Sequence, residues 1–222
     1  MIKLHILNAH DKFTPYQEQI KNAFALSVQR VTELFPISNV DVVFYLDSEL
    51  VIPEFGIGGY SPSGDRIMIA ADPDNVNFTA SLKNEFLTTL GHELHHCSRW
   101  RTVGYGNTLL EALVSEGLAC HFETELRPSI IPFYANALKA EEIPDFFAKA
   151  VPSLSDPNYS HGEWFFGQND EIPLHTGYTL GFELVSRYMR QQHKKASQLY
   201  DEPAESFLCL PGQEVIENPT KL

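Results

Sequence analysis

One short run of the chain combines metal-binding and acid–base side chains at helical spacing. Residues 91–97 read GHELHHC, in which His92, Glu93 and His96 fit the pattern H-E-x-x-H. Positions i and i+4 of a helix lie on one face, about 6 Å apart along the axis, and two imidazoles there can bind one zinc ion. A carboxylate at i+1 then lies beside the metal, where it can take a proton from a zinc-bound water. We therefore predict His92 and His96 as zinc ligands and Glu93 as the general base.

A third zinc ligand is expected on the next predicted helix. Glu116 follows His96 by twenty residues, in a segment of good helix formers with an apolar stripe. It would complete a set of two histidines and one glutamate, with the fourth position open for water. Glu111 and Glu123 lie on the same segment and could replace it in principle. Glu116 is favoured partly because Gly-Leu-Ala follows it, and such small residues let two helices approach closely.

These blocks also carry a resemblance to a known family. The H-E-x-x-H pattern followed by nineteen residues and a glutamate resembles the gluzincin branch of zinc peptidases, the thermolysin-like plan. The wider runs GHELHHC, LLEALVSEGLACHF and IPLHTGYTLGFELVSRYM resemble more closely a family of predicted zinc-dependent proteases built on a domain of unknown function. The resemblance covers roughly residues 55 to 190. It implies Zn²⁺, a site of His92, His96 and Glu116, and a peptidase-type reaction on a peptide or protein substrate.

Other metal-binding plans fit the chain less well. A metzincin extension needs Gly at 99 and His at 102, where this chain has Arg99 and Thr102. A deformylase-like site needs a cysteine before the motif, and Cys97, Cys120 and Cys209 all follow it. The thermolysin-like plan often places an acid at the position of Cys120 to orient a ligand histidine, so the chain departs from that plan here. We expect Cys120 to be a small buried residue instead.

A hydrogen-bond donor for the reaction is expected on a helix over residues 175–194. Hydrolysis of a peptide bond places negative charge on the carbonyl oxygen, and a positioned donor stabilises it. His175 and Tyr178 lie near the start of this segment. The family-like Gly-Tyr pair makes Tyr178 the first choice, ahead of His175 and then His161. The alternative is that Tyr178 is a core residue on the apolar stripe that contains Val185.

Composition argues against several kinds of partner. The net charge of −13 disfavours binding to nucleic acid or to an anionic membrane, and no apolar run approaches the ~20 residues of a membrane span. The first residues do not read as a signal peptide, because Lys3 and His5 interrupt a short apolar stretch. An odd number of cysteines argues against a disulfide framework. We expect a cytoplasmic, reducing location, and the sequence predicts no oligomeric state.

The periodicity of apolar residues and the turn signals predict the elements that position these side chains. In chain order we predict a strand at the N-terminus, a helix from Thr14 to about Phe35, a strand over 40–47, a loop over 53–65, a strand over 66–71, the motif helix over 77–100, helices over 108–126, 137–149 and 175–194, a loop over 151–173, and loosely held residues over 211–222. The strand over 66–71 precedes the motif helix as the edge strand does in zincins. We expect it to bind extended peptide by strand addition.

These expectations combine into one α+β, zincin-like catalytic domain over residues 1–222. A small mixed β-sheet lobe with the active-site helix would occupy 1–104, and a helical C-terminal lobe with the third ligand would occupy 105–222. The predicted function is that of a zinc metallopeptidase. The alternative is a zinc-binding protein of zincin fold without turnover, acting as a regulator or interaction module. Glu93 argues against that alternative, because a structural site needs no base and is usually closed by four protein ligands.

Overall fold

The computed structural model describes residues 1–208, which cluster into two compact units divided between Arg101 and Thr102. Residues 211–222, which the sequence predicts to be loosely held, lie outside the described residues, and so does Cys209. Within the described part the chain forms seven α-helices and one four-stranded sheet, which confirms the α+β class. The zincin-like and single-domain assignments stay predictions. No helix in residues 1–208 combines the length and apolarity needed to cross a membrane.

The first unit contains the sheet. Its strands are β1 (Ile2–Ile6), β2 (Val40–Leu46), β3 (Ile57–Ser63) and β4 (Arg66–Ala71), and their order in the sheet is β1-β2-β4-β3. The β1–β2 and β2–β4 pairs are parallel, and β3 runs antiparallel to β4. The strands predicted near the N-terminus, over 40–47 and over 66–71 are confirmed.

Two predictions about this sheet are wrong. Residues 53–65 were expected to form a loop, but most of them form β3, and β4 is therefore an inner strand and not the edge. Glycine and proline are depleted in strands, so Gly58, Gly59 and Pro62 make this segment read as a loop in the sequence. They are tolerated because, within the described residues, the far side of β3 is paired only by a single bridge between Ile57 and Ile52, and edge strands accept such residues.

Three helices complete the first unit: α1 (Gln17–Leu34), α2 (Phe78–Asn84) and α3 (Phe86–Thr102). The motif helix predicted over 77–100 is thus two helices. Glu85 between them has φ −112°, roughly 50° from the α-helical value, although its N–H still donates to the Ser81 carbonyl and its own carbonyl accepts from the N–H of Thr89. Aromatic rings fill the space between the sheet and these helices. They come from Phe13, Phe44, Phe78 and Phe86, all fully or almost fully buried.

The second unit is helical and contains α4 (Leu109–Leu126), α5 (Ile143–Ala150), α6 (His161–Phe165) and α7 (Thr176–Gln192). The helix predicted over 137–149 begins later because Pro144 fits only a first helical turn. The loop predicted over 151–173 contains α6, whose cap is Ser160. The helices predicted over 108–126 and 175–194 are confirmed as α4 and α7, apart from one or two residues at their ends.

Helices α4 and α7 pack with their backbones in contact. A Cβ atom added to Gly117 of α4 would lie 2.2 Å from the carbonyl oxygen of Gly181, and one added to Gly181 would lie 2.1 Å from the carbonyl oxygen of Leu113. Neither helix can therefore carry a side chain at the crossing. The close approach expected from the Gly-Leu-Ala sequence after Glu116 is present, and it buries α4 on almost every side.

Candidate metal centre

Helix α3 brings two imidazoles together on one face. The ring centroids of His92 and His96 lie 4.7 Å apart, with the ring planes at 77°. Leu90, Leu94 and Cys97 are completely buried and anchor the helix to the core. The histidines are themselves only 8% and 4% exposed. The i, i+4 spacing thus produces a pair of adjacent, buried imidazoles.

His95 lies between the two in sequence, and helical spacing turns it about 100° away from the row formed by His92 and His96. It is completely buried, and its ring centroid lies 6.1 Å from that of Phe35. This position in the first unit agrees with a structural role.

Glu93 is held against strand β3. The hydroxyl of Ser61 lies 2.7 Å from Oε2 of Glu93 and 2.9 Å from its backbone carbonyl oxygen, and it can donate to either. Two residues earlier on the same face of the strand, Gly59 leaves room for the carboxylate: a Cβ atom there would lie 2.6 Å from Cγ and 2.7 Å from Oε1 of Glu93. Both the absence of a side chain at 59 and the hydroxyl at 61 therefore fix the position of this carboxylate.

Glu116 lies in the middle of α4 and is 4% exposed. Its Oε1 accepts a hydrogen bond from the phenol of Tyr105, which belongs to the link before the helix. Glu111, which could have replaced Glu116, caps the helix instead. Its Oε2 accepts hydrogen bonds from the backbone N–H groups of Asn107 and Thr108 and from the hydroxyl of Thr108, which in turn accepts from the Glu111 N–H.

Cys120 and Glu123 follow Glu116 on the same side of α4, about one and two turns later. Cys120 is completely buried, as expected of a small core residue, and it is a free thiol like Cys97. Burial raises the pKa of the Cys120 thiol well above its usual value, and the charges of Glu123 and Glu116 raise it further. Glu123 accepts a 2.6 Å hydrogen bond from the phenol of Tyr134.

Several phenols of the second unit are held in their neutral form. Burial raises the pKa of Tyr105 well above its ordinary value, and the neighbouring charge of Glu116 adds to the effect. Burial likewise raises the pKa of Tyr134, with Glu123 as the next cause. For Tyr159, burial and the charges of Glu116 and Glu111 raise the pKa to about 12. These tyrosines are therefore hydrogen-bond donors at any physiological pH.

The three predicted zinc ligands lie on two helices. His92 and His96 are on α3 and Glu116 is on α4, and all three side chains are buried. Imidazole and carboxylate are common zinc ligands, so these side chains have the chemistry that zinc requires.

The two candidate oxyanion donors begin α7. His175 is the residue before the helix and has a left-handed backbone, with φ 69°, so it lies outside the helix in which it was predicted. Tyr178 is in the first turn and is partly buried. Its ring packs between those of Tyr134 and Phe165, each with its centroid 5.1 Å away, and lies 5.8 Å from that of His175. The third candidate, His161, is stacked on Phe165 with centroids 4.3 Å apart.

Sequence reasoning missed several residues that contact the predicted ones. Ser61 and Gly59 lie in the segment 53–65 that was predicted as a loop, and its glycines and prolines gave no strand signal. Tyr105 and Tyr134 lie in irregular segments, and no periodicity connects either tyrosine to its glutamate partner. The only local signal near Tyr105 is the glycine on each side of it, which is typical of a sharply turning link.

Comparison with known proteins identifies a family. No curated protein and no solved structure matches the chain. The model of one protein family, described as "Predicted Zn-dependent protease (DUF2268)", matches residues 20–209. This match includes the H-E-x-x-H run, the whole of α4 and the whole of α7. The chain therefore belongs to this family of predicted zinc-dependent proteases.

Proposed function

We propose that the chain is a zinc-dependent metallopeptidase in which His92, His96 and Glu116 hold the metal. The observation that carries the proposal is the pair of adjacent, buried imidazoles of His92 and His96 on α3, with the neighbouring Glu93 carboxylate held by β3. Membership of a family described as predicted zinc-dependent proteases supports the same activity. Two imidazoles and one carboxylate leave a fourth coordination position for water, as in catalytic zinc sites.

Zinc in such a site lowers the pKa of water and polarises a peptide carbonyl. Glu93 is the proposed general base, which takes a proton from the attacking water and later passes it to the leaving amine. The contacts of Ser61 and Gly59 with this carboxylate support the assignment, because a base acts efficiently only from a fixed position. Tyr178 is the proposed donor to the carbonyl oxygen as charge develops there, with His175 as the alternative.

The substrate we propose is an extended peptide, bound along β3 and not along β4. Strand β3 is the edge strand on this side of the sheet, and among the described residues its far side carries one bridge, between Ile57 and Ile52, before Gly59 and Ser61. Its residues Gly59 and Ser61 contact Glu93. Tyr60 between them is 64% exposed and extends from the opposite face of the strand. Strand addition at β3 would therefore bring a peptide backbone next to the proposed base.

The alternative function is a zinc-binding protein without turnover. The buried thiol of Cys120, one turn after Glu116 on α4, is the observation that favours it, since cysteine is a common ligand of closed, structural zinc sites. Glu93 again distinguishes the two functions. A structural site would gain nothing from a buried carboxylate that Ser61 and Gly59 hold in one place.

The experiment combines metal analysis with digestion of a peptide library, read by mass spectrometry with and without a chelator. We expect about one zinc per chain and chelator-sensitive cleavage. The matched control is Glu93→Gln, which keeps the size of the side chain and should retain zinc while losing about 10²–10⁴ in rate. Zinc without cleavage of any peptide would establish the alternative. A protein that binds no zinc would refute both functions.

A further inference from the structure

The link between α3 and α4 has an unusual backbone on both sides of Tyr105. Gly104 has φ +86° and Gly106 has φ +107°, values that residues with a side chain rarely adopt. Gly106 is also pressed against α4, because a Cβ atom there would lie 2.2 Å from Cβ of Glu111. The two glycines thus let the chain turn sharply before and after a single large residue. That residue is the tyrosine.

The link is tied to the first turn of α4 at the same point. The carboxylate of Glu111 accepts backbone N–H groups at 2.8 Å from Asn107 and 2.9 Å from Thr108. The reciprocal hydrogen bonds of Thr108 and Glu111 form a capping box. Residues 106–108 therefore have a fixed geometry relative to the helix, and the position of Tyr105 follows from it.

From this position the phenol of Tyr105 reaches Glu116 and donates to Oε1. A carboxylate has two oxygens, and a zinc ion can bind one of them or both. If both oxygens of Glu116 bound the metal, the carboxylate would also occupy the coordination position that a catalytic water needs. A donor that holds one oxygen reserves that position.

We propose that Tyr105 is a positioning residue that holds Oε1 of Glu116 and leaves only Oε2 for the metal. The proposal rests on the proposed function, since it takes Glu116 as a zinc ligand. Groups that hydrogen-bond a metal ligand fix its orientation, and their removal typically costs about 10–100-fold in metal affinity. Tyr105 acts through Glu116 and does not contact the metal itself.

The chain offers a matched control in Tyr159. This tyrosine is also partly buried, and it also senses the charge of Glu116. Its hydroxyl, however, lies 2.9 Å from Nδ1 of His161. Tyr159→Phe thus removes the same chemical group from the same unit without removing a hydrogen bond to Glu116.

The experiment measures zinc affinity by competition with a chromophoric chelator. The proteins are the wild type, Tyr105→Phe, Tyr159→Phe, Glu116→Ala and the double variant Tyr105→Phe/Glu116→Ala. We expect Tyr105→Phe to weaken zinc binding about 10–100-fold and Tyr159→Phe to leave it within about twofold. In the Glu116→Ala background, Tyr105→Phe should have no further effect, because the residue through which it acts is gone.

A second readout reports coordination directly. With Co²⁺ in place of zinc, the visible absorption should weaken in Tyr105→Phe, because the freed carboxylate binds through both oxygens and five-coordinate Co²⁺ absorbs less than four-coordinate Co²⁺. This readout also serves if Glu116→Ala does not fold. Wild-type affinity and spectrum in Tyr105→Phe would overturn the proposal while leaving the metallopeptidase intact. An equal loss with and without Glu116 would also overturn it, and a wild type without zinc would overturn the proposed function first.

Discussion

A methyl group added at Gly59 of β3 should displace the carboxylate of Glu93, the proposed base. In Gly59→Ala the new Cβ would lie 2.6 Å from Cγ and 2.7 Å from Oε1 of Glu93, whereas an ordinary contact needs at least 3.4 Å. The carboxylate must therefore move by about 0.8 Å. A displacement of about 1 Å at a reacting group costs roughly 10²-fold in rate. We expect kcat to fall by about that factor, with zinc content unchanged.

Steady-state kinetics on one cleaved peptide, with metal analysis and thermal unfolding of each variant, tests this expectation. The control is the double variant Gly59→Ala/Glu93→Gln. Because the methyl group acts only through the base, it should change the residual rate of Glu93→Gln by no more than about twofold. Normal turnover in Gly59→Ala, or an equal loss in both backgrounds, would show that β3 does not position Glu93.

Three further outcomes are expected. Tyr178→Phe should lower kcat about 10²–10³-fold with little change in KM, whereas His175→Ala should stay within a few-fold; the opposite pattern in steady-state kinetics would exchange the two roles. The free energy of unfolding should fall on acidification, because burial lowers the pKa of His121 to about 4 and the unfolded chain takes up the proton first. This contribution is complete above pH ~6.5 and is lost as the pH falls toward 4, by about 3 kcal/mol, which urea titrations of wild type and His121→Gln would measure as a difference in pH dependence. Gly181→Ala should destabilise the protein by more than about 3 kcal/mol or prevent folding, as thermal unfolding would show, because its Cβ would lie 2.1 Å from a carbonyl oxygen of α4.

The parts of the fold that could be predicted are those with local signals. Helix α4 has a capping box at Thr108 and a long run of helix formers, and its limits agree with the prediction within one residue. Strands β2 and β4 are short runs of β-branched and aromatic residues. Strand β3 has no such signal, since Gly58, Gly59 and Pro62 are typical of loops, and only its pairing with β4 makes it a strand.

The same distinction applies to the candidate site. The pairing of His92 and His96 follows from helical periodicity, and one sequence sufficed to predict it. The contacts of Ser61 with Glu93 and of Tyr105 with Glu116 depend on where a strand and a link lie in space. No spacing in the sequence encodes these distances. Residues such as Ser61 and Tyr105 can be found from a structure. In the sequence, the only sign of them is a nearby glycine that allows an unusual backbone or a close contact.

The glycine crossing of α4 and α7 has a consequence for the synthesis of the chain. Helix α4 is buried on almost every side, and its main partner in the second unit, α7, ends 66 residues after it, at Gln192. At ~5–20 residues per second, a ribosome needs roughly 3–13 s to produce that interval. During this time the helix that carries Glu116 has emerged without the surface that covers it. The nascent chain is therefore an expected client of chaperones that bind apolar helices, and it should be most prone to aggregation when synthesis stops between residues 126 and 176.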